Sequence, residues 1–196
     1  MPRLVKVSLV FGIPAALAVA FVLRSRAAFP ADDTPEGAYA RIAVAIAANR
    51  TRDCFAFLET RAQWASYTIH DYRSRTAALV SASYPENEKE PLLSPYRREA
   101  QGPDGADAWL ALAESRGWVA RLRKDLSGMK NVEIAGERAT IETARGTRYG
   151  FRRRENGIWG LTLFTAELVA EAEKASRDYE MVERAAADYE RAAHAP

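Results

Sequence analysis

The chain has 196 residues, with 28 basic and 26 acidic side chains, 48% apolar residues and one cysteine. A single cysteine excludes an internal disulfide and a thiolate zinc cluster. Four of the basic residues, Arg3, Lys6, Arg24 and Arg26, lie in the first 26 positions where there is no acid, leaving 24 basic against 26 acidic residues in the remainder; the basic balance belongs to the N-terminus, which argues against a general nucleic-acid binder.

In chain order, residues 7–23 come first. Ten of these seventeen are Val, Leu, Ile or Phe, fenced by Arg3 and Lys6 before and Arg24 and Arg26 after. Their summed insertion preference, roughly 0.3–0.6 kcal/mol each, outweighs Ser8, Gly12 and Pro14. With Leu4 and Val5 added and Lys6 snorkelling, a helix over residues 4–23 reaches about 30 Å, the hydrocarbon thickness of a bilayer. Residues 1–26 are therefore expected to form a single-pass transmembrane anchor in contact with lipid. A signal peptide cleaved near Ser25-Arg26-Ala27 is the alternative, and would give a secreted protein. The N-terminal amine favours an inside N-terminus and an extracytoplasmic domain, periplasmic in a bacterium.

Residues 27–34 read as a linker. A helix follows, with Thr34 as N-cap, Pro35 at the first position, an apolar line of Tyr39, Ile42 and Ile46, and Asn49 as a left-handed stop. Thr51 opens a short helix bearing Phe55, Phe57 and Leu58, on which Cys54 reads as a small buried hydrophobe. Thr60 and Gln63 match a capping box for a longer helix through Trp64, Ile69, Tyr72, Leu79 and Val80, ended by Pro85. Residues 85–105, rich in Pro, Gly, Glu and Arg, read as a mobile excursion. Trp109, Leu110 and Leu112 mark a further helix stopped at Gly117, and Trp118, Leu122 and Leu126 extend the helical layer.

At Asn131 the apolar period changes to two. Val132/Ile134, Ala139/Ile141, Tyr149/Phe151 and Trp159/Leu161/Leu163 define four strands separated by turns at Gly136-Glu137, Arg145-Gly146 and Asn156-Gly157. An antiparallel meander with one apolar face must be covered by the preceding helices. Thr165 then caps a long amphipathic helix, residues 165–196, with a seam of Leu168, Ala172, Ala175, Tyr179, Val182, Ala186, Tyr189 and Ala193 at alternating spacings of four and three. That seam packs either along its own domain or onto a second copy or partner, through Tyr179, Val182 and Tyr189. The fold class is α+β, with residues 35–164 as the core domain.

The order of helices followed by a meander ending in Asn156-Gly157-Ile158-Trp159-Gly160-Leu161 resembles the nuclear transport factor 2-like cone fold. So does the Gly-Glu-Arg-Ala-Thr-Ile run beginning at Gly136, and Thr34-Pro35-Glu36-Gly37-Ala38 is similar to the opening of many such domains. The chain departs from the pattern in lacking an early strand and in its long final helix. With the anchor, it looks like the membrane-tethered members that serve as assembly subunits of type IV secretion systems or accompany mammalian-cell-entry transporters. The resemblance implies binding or scaffolding, or, alternatively, an isomerase- or dehydratase-like enzyme acting in the cone cavity.

For catalysis in such a cavity the sequence offers Tyr67, His70 and Asp71. His70 and Asp71 diverge by about 100° on a helix, but either can share a face with Tyr67. No cofactor or metal motif is present: no glycine-rich phosphate loop, no nucleophile elbow and no His pair at ligand spacing. Arg148, Arg152 and Arg154 alternate onto one side of the third strand with Arg145 near by in the turn. They form either a solvated face or a contact for anionic lipid headgroups or an acidic partner.

Overall fold

The computed structural model describes residues 30–194. The anchor expected at residues 4–23 lies outside them; among the described residues no helix is long and apolar enough to cross a membrane. Among the described residues, seven α-helices and one four-stranded sheet make up the architecture.

Helix α1 (Pro35–Ala47) starts as its sequence dictates: the Thr34 hydroxyl accepts a hydrogen bond from the Gly37 N–H at 3.0 Å, and Pro35 occupies the first turn. Asn49 follows at φ 57°, the left-handed stop. A 3₁₀ segment (Thr51–Phe57) leads to α2 (Thr60–Ser83). The expected capping box does not form. Thr60 is already helical, Glu59 holds the N-cap position without a side-chain hydrogen bond, and the Gln63 amide donates instead to the Phe55 carbonyl at 2.7 Å.

Residues 85–105 are not an excursion. They fold as α3 (Glu86–Leu93), a 3₁₀ turn (Ser94–Tyr96) and α4 (Arg97–Gln101), strapped across α2. Few of their residues are apolar, so no period announces them; tertiary contacts hold them. Leu92 and Leu93 pack with Val80, Tyr84 and Ala186, Tyr84 and Tyr189 meet with ring centres 4.8 Å apart, and the Tyr189 hydroxyl donates to Glu88 at 2.7 Å. Helices α5 (Gly105–Ser115) and α6 (Trp118–Asp125) complete the layer, α5 capped by Asp104.

The sheet has the expected order β1-β2-β3-β4, all antiparallel: Met129–Ala135, Arg138–Thr143, Arg148–Arg153 and Trp159–Leu161. At the last turn Gly157 alone takes a positive φ, 83°, while Asn156 accepts from the Ile158 N–H at 3.1 Å; the loop is a turn closed by a left-handed glycine. The inner face presents Ala139, Ile141, Tyr149, Phe151 and Leu161, which pack against Ile42, Trp109 and Leu112. Each large side chain so buried contributes roughly 1.5–3 kcal/mol. Only β1 falls short of this, with Ile134 57% exposed at the sheet edge.

The opposite edge is covered. Leu58 forms a parallel bridge to Leu161, and the Glu59 N–H donates to the Leu161 carbonyl at 3.1 Å. This crossing explains Gly160, where a Cβ would stand 2.4 Å from the Glu59 Cα. The bridge is the nearest approach to an early strand that the helical layer makes. Helix α7 (Thr165–Ala193) has Phe164, not Thr165, at its N-cap position; the Thr165 hydroxyl is buried without a hydrogen-bond partner. Its seam lies along α2 of the same chain: Leu168, Ala172, Ala175, Tyr179 and Ala186 are buried there or beneath the strap, Val182 and Tyr189 are partly buried, and Ala193 is exposed.

Candidate functional site

Tyr67, His70 and Asp71 are engaged in three separate contacts. The Tyr67 ring stands edge-on to Phe55 at 5.6 Å and beside Trp64 at 6.3 Å. His70 Nε2 lies 2.7 Å from the Gly102 carbonyl. A carbonyl only accepts, so this nitrogen carries the proton and is not a free base. Ser74 donates to the Ala100 carbonyl at 3.0 Å, and Asp71 faces Arg75 on the exposed side at 3.5 Å. His70 and Ser74 thus grip the end of the strap. Cys54 is buried as expected, and burial pushes its thiol up to about 12. The described residues contain no group of three or more His, Cys, Asp or Glu able to hold a metal ion.

The space between sheet and helices is occupied by Ile42, Trp109, Tyr149, Phe151 and Phe164, each nearly or wholly buried. Burial also raises the Tyr149 phenol to about 12, and its hydroxyl has no hydrogen-bond partner.

The concave surface lies elsewhere, on the outer face of the sheet and around the start of α2. Arg61 lines a cavity of about 400 Å³ with Glu59, Arg138, Thr140, Gly150, Arg152 and Thr162. It also lines an adjoining one of about 320 Å³ with Trp64, Arg153 and Arg154. A third, about 480 Å³, runs from Arg61 to Thr165 and Val169 at the start of α7. Trp64, expected on the apolar line of its helix, is instead 67% exposed at the rim.

Local rules place these groups. Arg138 and Arg152 occupy outward positions of β2 and β3 and stand directly opposite one another in register. Thr140, Gly150 and Thr162 form the next row, Thr162 bonded to the Gly150 carbonyl. The Leu58–Leu161 bridge delivers α2 onto this face, so that Arg61 in its first turn overhangs the sheet. Arg154 donates to the Ala56 carbonyl at 2.8 Å; its Nε is buried without a partner, and desolvation lowers its pKa.

Charge pairing sets this surface apart. Most arginines elsewhere meet carboxylates, among them Arg41 with Asp32 at 2.7 Å, Arg52 with Asp104 at 2.9 Å and Asp107 at 3.0 Å, Arg116 with Glu171, and Arg148 with Glu133 at 3.3 Å, while Arg123 bonds the Asn49 amide oxygen and Arg145 a backbone carbonyl. Among the described residues, Arg61, Arg138, Arg152, Arg153 and Arg154 have no ion pair. The arginine face read from the sequence is therefore divided. Arg148 is paired, Arg145 is turned to the Lys124 carbonyl, and Arg152 and Arg154 belong to the groove. Tyr179, Val182 and Tyr189 face the chain's own strap and α2: the Tyr179 hydroxyl accepts from Arg75 at 2.8 Å and donates to Glu183 at 2.9 Å.

Sequence reasoning missed Arg61 and Arg138. The alternation of Arg138 with Ala139 and Ile141 places it outward and could have been read; the position of Arg61 depends on the long-range bridge. Comparison with known proteins returned no matching family model, curated protein or solved structure.

Proposed function

We propose that the protein is a single-pass membrane-anchored binding domain, non-catalytic, which presents the Arg61 groove to an acidic surface at the bilayer or within an envelope complex. The observation that carries this reading is the set of arginines without ion pairs gathered on one concave face. Where the chain enters the domain supports it. The Asp33 carbonyl accepts from the Trp159 indole N–H at 3.1 Å, and Trp159 stands opposite Arg153 in the sheet. Residues 24–30 span at most about 25 Å when extended. A tether of that length keeps the arginine face near the membrane and raises the effective concentration of any anionic group there.

The alternative, an isomerase- or dehydratase-like enzyme in a cone cavity, draws no support from Tyr67, His70 and Asp71, which line none of the arginine cavities. Self-association through α7 would have to use its outer face, because Tyr179, Val182 and Tyr189 pack within the chain. The NTF2-like resemblance adds the expectation of a scaffolding role.

Fractionation of cells expressing the full chain tests the reading. The uncleaved polypeptide is expected in the membrane pellet after high-salt and alkaline carbonate washes. Its recovery as an uncleaved soluble protein without detergent, or as a mature form beginning near Ala27, overturns the anchored reading.

A further inference from the structure

We infer that the groove centred on Arg61 is a binding site for a dianionic phosphate monoester group, held by Arg61, Arg138 and Arg152. The inference deepens the proposed binding role by naming the ligand chemistry.

The arrangement is electrostatically unfavourable when empty. Like charges directly opposite on neighbouring strands destabilise a sheet, yet Arg138 and Arg152 occupy such a pair with no carboxylate within bonding distance. A cation in the first turn of a helix opposes the helix dipole, yet Arg61 sits there, and the first turn of α2 contains no acid. The start of α7, at Thr165 and Ala166, borders the same groove. An anion between the guanidinium groups reverses the sign of each of these interactions.

The geometry selects the kind of anion. Arginines of three elements, α2, β2 and β3, line this one cavity. Such convergence suits a tetrahedral oxyanion with several free oxygens better than a flat carboxylate, which one arginine fork satisfies. Glu59 also lines the cavity. One carboxylate against three guanidinium groups leaves a net charge of +2, matched by a doubly charged monoester. The floor is low because Gly150 carries no side chain, and a Cβ there would come within 2.8 Å of the Thr162 hydroxyl oxygen. Thr60, Arg61 and Ala62 open α2 without a side-chain cap, the state in which a helix N-terminus accepts phosphate. At the neighbouring α7 start, the Thr165 hydroxyl is buried and unpartnered, and Thr165 lines the cavity shared with Arg61. The volume of about 400 Å³ is roomier than a bare phosphate requires and suits a monoester carried on a larger molecule.

Titration calorimetry on the full chain in a nonionic detergent, at low salt and pH 7.5, tests the site with two probes: inorganic phosphate and dihexanoyl phosphatidic acid. Dihexanoyl phosphatidylglycerol, a diester, is the comparison lipid. Saturable binding of either phosphate probe is expected. Arg61→Gln and Arg152→Gln should each weaken it at least tenfold without lowering the melting temperature. Arg177→Gln, at an exposed position of α7 away from the groove, should leave it intact. Tighter binding of the phosphatidic acid supports the site with a lipid headgroup as source; equal binding supports it with free phosphate. The inference is overturned by no saturable binding of either probe, by diester binding equal to monoester binding, or by equal losses in Arg177→Gln and the groove variants. Such a failure leaves membrane retention of the chain, and so the anchored reading, untouched.

Discussion

Arg73 and Arg61 lie on the same helix, twelve positions apart, and do opposite things. Arg73 is 2% exposed and fully engaged: Asp178 at 2.6 Å, Glu171 at 2.9 Å and the face of Tyr96 at 4.6 Å from its guanidinium carbon. Arg61 is exposed and unpaired at the mouth of a groove. A buried arginine must be satisfied inside the protein, because an unpaired charge there is prohibitively costly. An arginine left unpaired at a concave surface costs little in stability and remains free to meet a ligand. The comparison separates arginines that hold α2, the strap and α7 together from those available for binding.

The largest expected effect lies at the buried end. Arg73→Leu leaves Asp178 without its ion pair and Glu171 with Arg116 alone, and should cost about 3–5 kcal/mol in urea unfolding. The same truncation at Arg61 should stay within about 0.5 kcal/mol. Comparable losses at the two sites would erase the distinction.

Gly160→Ala comes next. Its Cβ would meet backbone atoms of Glu59 at 2.4 and 2.5 Å, so the crossing that delivers Arg61 to the sheet must shift. A loss of about 1–3 kcal/mol is expected, accompanied by faster amide exchange at Glu59, whose N–H bonds Leu161. Unchanged exchange there would show that the crossing does not depend on a bare Cα.

Glu99, on the strap beside the buried arginine, gives a pH test. Burial raises its pKa above the ordinary 4.5, and Glu171 adds to this while Arg73 and Arg116 oppose it. Its carboxyl oxygen Oε2 is buried without a partner. Because the folded state holds this proton more tightly than the unfolded chain, stability from this group falls as pH rises from the unfolded value through the folded one. Glu99→Gln should therefore raise the melting temperature at pH 7 and flatten its decline as pH rises above the ordinary 4.5. An unchanged pH profile would remove Glu99 from the network's energetics.

The smallest effect belongs to the groove. Arg152→Gln relieves the repulsion with Arg138 and should stabilise by a few tenths of a kcal/mol at low salt, vanishing at about 1 M salt. A loss of stability at low salt would mean that Arg152 is structural, like Arg73.

Much of the fold was legible because its signals are local. Thr34, Pro35 and Asn49 bound α1 through their own side chains and backbone preferences. The period-two pattern after Asn131, with glycine at each turn, specifies the meander, and the four-three spacing from Leu168 specifies one continuous helix. The strap was not legible: Tyr96, Glu99 and Arg97 carry no helical period, and what orders them is contact with α2 and α7. Of the candidate site, Arg152 and Arg154 could be read from strand alternation, whereas Tyr67, which can share a face with either His70 or Asp71, lines none of the arginine cavities, and neither do they.

The sequence by itself determined the elements outside the strap, the antiparallel order of the strands and the outward direction of the strand arginines, since all of these follow from neighbours a few residues apart. Only the tertiary structure decided what covers the α7 seam, which arginines find acids, and that Arg61 stands over Arg138 and Arg152. Those depend on the Leu58–Leu161 bridge and the packing of α7 on α2, contacts between segments about a hundred residues apart that no local period encodes.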